Sequence, residues 1–218
     1  VSAGFALALG GAAAGVLLVA ARLRRWLNAP TGQLVSIALF ASVQFVVGTV
    51  AQVVGLGIAT ATGPFATMVT SIFDDAFGVT LMATLLTLIP RPGTVALSTL
   101  LAWGLRGLAT GSMSPLDLLF VGCRVALYEG ALYAVGLTRF AAWRDGPRAT
   151  RLVRMALGFG LASLLATLTS LVLHTVLYRL FYAPWYVGML VLGPGLLYPL
   201  MAVGIADRVA SSLRRVED

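Results

Sequence analysis

Ile89-Pro-Arg-Pro-Gly93, then the run Thr94-Val-Ala-Leu-Ser-Thr-Leu-Leu-Ala-Trp-Gly-Leu-Arg106, the break Gly111-Ser-Met-Ser-Pro115 and the run ending Gly122-Cys-Arg-Val-Ala-Leu-Tyr-Glu-Gly130, decide how this chain folds. Each apolar run is about the length that crosses a bilayer. Yet together they carry Arg106, Arg124 and Glu129. Ionisable groups at membrane depth are costly, so these three are functional candidates, with mutual pairing as the alternative.

The rest of the chain agrees with this setting. Hydrophobic residues make up 59% of the 218 and charged ones 11%, far from soluble averages. Mean hydropathy is +0.95. The expected fold is an all-α, polytopic membrane helix bundle forming one domain over 1–218. It has an extra N-terminal helix over 1–27 and a six-helix core over 33–215.

The spans read as Val1–Ala21, Gln33–Gly55, Phe65–Ile89, Thr94–Thr110, Leu116–Leu137, Ala156–Leu177 and Trp185–Ile205. A Gly and Thr loop is expected over 55–64, and the last span is broken at Gly193-Pro-Gly195 and Pro199. Val1–Ala21 has its arginines after the apolar stretch, the reverse of a signal peptide. With the N-terminus outside and the C-terminus cytoplasmic, twelve of the fifteen arginines fall on the cytoplasmic side, as the positive-inside rule requires. The expected location is the plasma membrane. The +7 charge is thereby absorbed by topology, and no nucleic acid is expected.

Several chemistries are excluded by residue types. The chain has no lysine, so a retinal Schiff base is impossible. Its single cysteine, Cys123, excludes an intrachain disulfide or cysteine metal cluster. No Gly-x-Ser-x-Gly elbow, His-Glu-x-x-His or Walker sequence occurs. Ser112 or Ser114 would have only His174 as a histidine base, so no catalytic constellation assembles and the chain reads as non-enzymatic. No cofactor or metal is expected, since zinc needs several ligands beside the lone His174.

Depth along the spans, at about 1.5 Å per residue, groups the remaining candidates. Arg106, Arg124, His174 and Asp117 fall in the outer half, Asp74 and Asp75 near the middle and Glu129 slightly deeper. Trp103, Tyr128, Tyr133 and Trp185 lie at compatible levels. Asp74 and Asp75 point about 100° apart on a helix and cannot both face one partner. On the fifth span Asp117, Arg124 and Tyr128 share one stripe, and Glu129 and Tyr133 another. An outward-opening cavity with aromatic walls follows, suited to a neutral, zwitterionic or singly charged planar ligand.

Three features carry a resemblance: the small-residue face in Ser36-Ile-Ala-Leu-Phe-Ala-Ser42, the Pro90-Arg-Pro-Gly-Thr-Val-Ala96 turn, and the Gly122 to Glu129-Gly130 helix. The chain resembles the S component of energy-coupling factor importers, especially members assigned to thiamine or its hydroxymethylpyrimidine precursor. The resemblance implies a subunit that captures a small vitamin or precursor from outside. It also implies docking on a transmembrane T component driven by two cytoplasmic ATPases. Ala38, Ala41 and Ser42 would meet the T component. Glu129 would balance a cationic ring, with Trp103, Tyr128 and Trp185 stacking on it. The alternative is a non-catalytic assembly subunit of a larger membrane complex, in which the buried charges only pair between helices. A secondary transporter is disfavoured by the lack of an inverted repeat.

Overall fold

The computed structural model describes residues 21, 29–111, 114–139 and 141–217. Apart from Ala21, the expected helix over 1–27 lies outside them. Among the described residues every regular element is helical and no strand occurs. Helix α1 spans Thr31–Thr62. Helix α2 is three consecutive pieces, Ala66–Ser71, a π-helical Ile72–Phe77 and Gly78–Leu88. Then come α3, Thr94–Thr110, α4, Pro115–Ala134, and α5, Arg148–Tyr178. Helix α6 joins Pro184–Leu192, a π-helical Gly193–Leu197 and Tyr198–Glu217.

Four stretches, Thr31–Gly55, Met68–Leu88, Arg148–Tyr178 and Pro184–Leu213, are long and apolar enough to cross a membrane. That marks an integral membrane protein. Helix α3 has 17 residues, and α4 has 20 with three charged side chains. These two pack within the same bundle, α3 on α1 and α4 on α5, while α2 lies along α6. Buried Val79, Leu86, Tyr128, Leu132, Phe159 and Ala202 bring α2, α4, α5 and α6 into one core. The outward faces are apolar too: Val35, Leu39, Val46 and Val50 of α1 are exposed, as expected of surfaces that meet lipid.

Local chemistry sets the ends of the central pair. Gly93 stands before α3 with φ 92°, a left-handed conformation that glycine adopts without steric cost. Gly111 ends α3 in the same region. Helix α4 opens on a capping box: the Leu116 amide donates to Ser114 Oγ at 3.2 Å, and the Ser114 amide donates to Asp117 Oδ2 at 3.2 Å. Asp117 therefore serves the helix start rather than the stripe of Arg124.

Three expectations are corrected. The loop expected over 55–64 is helical as far as Thr62. In an apolar setting the helix keeps its own backbone bonds satisfied, and threonines fit by returning their hydroxyls to the preceding turn. Thr49 does so to the Phe45 carbonyl at 2.8 Å and Thr70 to that of Ala66 at 3.1 Å. The last span is not broken at Gly193-Pro-Gly195 but widened into a π turn that continues the helix. The arginine-rich stretch from Arg139 to Arg154, expected as a loop before the span that starts at Ala156, is helical from Arg148 onward. Trp143 closes the remaining loop, donating from Nε1 to the Leu137 carbonyl at 2.7 Å.

Candidate functional site

The two π turns meet each other in the bundle. A π turn releases backbone carbonyls from the regular ladder, and such turns occur often at functional sites. Here side chains take up the released groups. Met68 O accepts from Ser71 Oγ at 2.9 Å and from Tyr198 Oη at 3.4 Å. Pro194 O accepts from Ser163 Oγ of α5 at 3.1 Å.

Beside these turns lies a cavity of about 560 Å3, within the usual range for small-molecule sites. Its polar part comes from Ser71 and Asp75 of α2, Arg124 and Tyr128 of α4, and Ser163 of α5. Phe120, His174, Tyr182 and Tyr186 supply aromatic wall. The cavity thus occupies the half of the bundle where α4 begins and α5 ends.

Arg124 Nη2 donates to Asp75 Oδ1 at 3.0 Å. Both side chains are partly exposed, 37% for Arg124 and 21% for Asp75, so the pair offers both signs of charge to the cavity. The Arg124 guanidinium carbon stands 5.8 Å from the centre of the Tyr128 ring, within cation–π range. Tyr128 itself is 1% exposed; its buried hydroxyl lies near Ser163 and Arg124 but makes no hydrogen bond of good geometry. A buried polar atom in that state is uncommon and calls for an explanation.

His174 Nδ1 lies 2.7 Å from the Ser170 carbonyl. A carbonyl only accepts, so Nδ1 carries a proton and donates it to this bond. Its ring packs 4.7 Å from that of Phe120 and 5.7 Å from that of Tyr178. At the rim Tyr182 and Tyr186 stack at 5.7 Å. Burial, and then the neighbouring Tyr186, push the Tyr182 phenol above its ordinary range.

Asp75, Arg124, Tyr128 and His174 are thus brought together. Trp103 and Arg106 line a second cavity of about 150 Å3 with Gln44 and Thr99, and Arg124 belongs to the wall of both. Trp185 is exposed, with its ring 5.6 Å from Tyr186 and 6.2 Å from Phe65. Tyr133 is exposed, with the Arg139 guanidinium 5.9 Å from its ring. Neither lines the main cavity. The side chain of Asp74 lies outside the described residues.

Glu129 sits apart from the cavity. It is 3% exposed; Oε2 accepts from the Gly93 amide at 3.0 Å and Oε1 from the Ala96 amide at 3.1 Å. Glycine has no side chain to cap α3, and a carboxylate from α4 does so instead, where the helix dipole favours negative charge. The small-residue face of α1 is divided: Ala41 is fully buried inside the chain, whereas Ala38 and Ser42 are exposed.

Ser71, Phe120, Ser163, Tyr182 and Tyr186 join the site without having been expected there. The aromatic run from Tyr178 to Tyr186 was the visible signal for two of them. The arrangement can hold a small, largely planar molecule by its faces while offering donors and acceptors at one end. The class that fold and site define is a helical membrane protein with a polar-ended internal cavity. Comparison with models of known families, with characterised proteins and with solved structures finds no match for this chain.

Proposed function

We propose that this protein is the substrate-capturing membrane subunit of an energy-coupling-factor type importer and that it binds a small aromatic vitamin or precursor, of thiamine-like character, in the cavity beside Asp75 and Arg124. The observation that supports this reading is the buried Tyr128 hydroxyl, which makes no well-formed hydrogen bond although Ser163 and Arg124 stand near it, beside a cavity of about 560 Å3. A ligand that completes that hydrogen bond removes a desolvation cost of about 1–3 kcal/mol. Asp75 takes over from Glu129 as the counter-charge for a cationic ring, because the Glu129 oxygens are engaged by backbone amides. Phe120, Tyr182 and Tyr186 are the stacking groups.

In this reading six core helices and one N-terminal helix cross the plasma membrane, the N-terminus outside and the C-terminus in the cytoplasm. The arginine distribution supports that orientation, and it opens the cavity outward. Ala38 and Ser42, exposed on α1, meet the T component, and two ATPases drive the assembly from the cytoplasm. The protein itself catalyses no reaction. Purification of the tagged chain from its native membranes tests the assembly: a T component and two ATPase subunits are expected to co-purify. Stable co-purification with a membrane complex lacking any ATPase overturns the importer reading.

The Asp75–Arg124 pair favours one second reading. Two in-span charges that satisfy each other suit a non-catalytic assembly subunit, whose cavity would bind no small molecule.

A further inference from the structure

At the opposite end of the bundle, where α5 begins and α6 nears its end, a recess of about 500 Å3 is lined by Arg148, Arg151, Arg208, Ser211 and Ser212. Behind two of these arginines lies Asp207, 2% exposed. Arg148 Nε donates to Asp207 Oδ2 at 3.0 Å, and Arg151 Nε donates to Oδ1 at 2.8 Å, with Arg151 Nη2 in ion-pair contact with the same oxygen at 2.6 Å. Arg151 Nη1 donates to the Arg144 carbonyl at 3.3 Å. One buried carboxylate therefore holds two guanidinium groups side by side. It uses only Nε of Arg148. Among the described residues, the terminal nitrogens of Arg148 and the whole guanidinium of Arg208 have no acceptor. Among the described residues, three arginines against one aspartate give the recess two positive charges.

Apolar stripes run up to this recess. Val153, Leu157, Leu161 and Leu165 of α5 are exposed at four-residue spacing, and Met201, Ile205 and Val209 of α6 are exposed likewise. Arg148 precedes Val153 by about 7.5 Å along the helix axis. Helix α5 has 31 residues, about 46 Å at 1.5 Å per residue, against a hydrocarbon core of about 30 Å. Its first turns therefore emerge at headgroup depth.

We propose that this recess binds the headgroup phosphate of an anionic phospholipid, on Arg148 and Arg208, while the acyl chains lie along the Val153–Leu157 and Met201–Ile205 faces. A guanidinium with two unused terminal nitrogens matches phosphate oxygens in a bidentate manner, and basic pockets at the cytoplasmic ends of membrane helices recognise anionic headgroups. Asp207 is the positioning residue, because it fixes where Arg148 points. Arginines needed only for orientation would require no such arrangement.

Native mass spectrometry of the detergent-solubilised protein with phosphatidylglycerol and phosphatidylcholine tests this site. Preferential retention of one phosphatidylglycerol is expected. The Arg148→Gln/Arg208→Gln double variant is expected to lose about 30-fold in that affinity, from about 1 kcal/mol per arginine at 1.4 kcal/mol per factor of ten. Arg91→Gln/Arg139→Gln removes the same charge elsewhere and is expected to change it less than threefold. Arg208→Gln alone breaks no pairing to a carboxylate and guards against loss of folding; a drop of about fivefold is expected. Equal losses in the two double variants, or no preference over phosphatidylcholine, overturn the site. Competition by inorganic phosphate at concentrations that leave phosphatidylcholine binding unchanged reassigns it to a free anion and overturns the lipid.

Discussion

Replacing Glu129 with glutamine separates a helix-capping role from a ligand-binding one. The carboxylate accepts two amide hydrogens, from Gly93 at 3.0 Å and from Ala96 at 3.1 Å. Glutamine keeps one acceptor oxygen and turns an NH2 group toward the other amide. One hydrogen bond to a charged group, worth about 1.5–3 kcal/mol, is lost, and one buried N–H is left unsatisfied. The negative charge at the start of α3 also disappears, worth about 0.3–1 kcal/mol. The combined destabilisation is about 3 kcal/mol. At about 2–4 °C per kcal/mol for a chain of this size, the apparent Tm in detergent is expected to fall by about 6–12 °C. Ligand affinity measured well below the transition is expected to stay within threefold of the unsubstituted protein. An unchanged Tm together with abolished binding would refute the reasoning and return Glu129 to the ligand.

Other substitutions probe the remaining contacts. Tyr128→Phe removes a hydroxyl that makes no well-formed hydrogen bond; it is expected to leave Tm unchanged or slightly raised while weakening ligand binding about tenfold, read by equilibrium binding. Gly158→Ala places a Cβ 2.6 Å from Leu137 Cδ1 and 3.2 Å from Leu132 Cδ2, where α5 crosses the end of α4. Thermal unfolding is expected to show a loss of about 1–3 kcal/mol from overpacking. Asp207→Asn leaves Arg151, 15% exposed, without its carboxylate. A loss of about 3 kcal/mol is expected by the same assay, the cost of breaking one partner out of a buried pair.

How far the sequence could be read depended on whether the signal was local. Pro90-Arg-Pro-Gly93 and Gly111 to Pro115 carry their turn chemistry within a few residues, and α3 was read with the bounds it has. The Ser114 to Asp117 box is equally local, but the seven-residue spacing of Asp117 and Arg124 also puts the aspartate on the Arg124 stripe, and spacing alone does not choose between the two. Residues 55–64 misled because glycine and threonine weaken a helix in water more than in a setting that forbids open backbone bonds. The pairing of Asp75 with Arg124 lay beyond reach for another reason. It joins positions 49 residues apart through a π turn that shifts the facing of every side chain after it. The Glu129 cap had no local signal beyond a helix start whose N-cap, Gly93, can offer no side chain.

The most direct test of the central claim is ligand-dependent thermal stabilisation of the purified protein. A panel of thiamine, hydroxymethylpyrimidine and chemically unrelated vitamins is measured against both the unsubstituted chain and Tyr128→Phe. A ligand at 100 times its Kd adds about 2.7 kcal/mol, so a thiamine-class compound is expected to raise Tm by about 5–10 °C, and the variant to need about ten times more of it. Absence of stabilisation by every compound in the panel, with the protein folded, would contradict the account and favour the assembly-subunit reading.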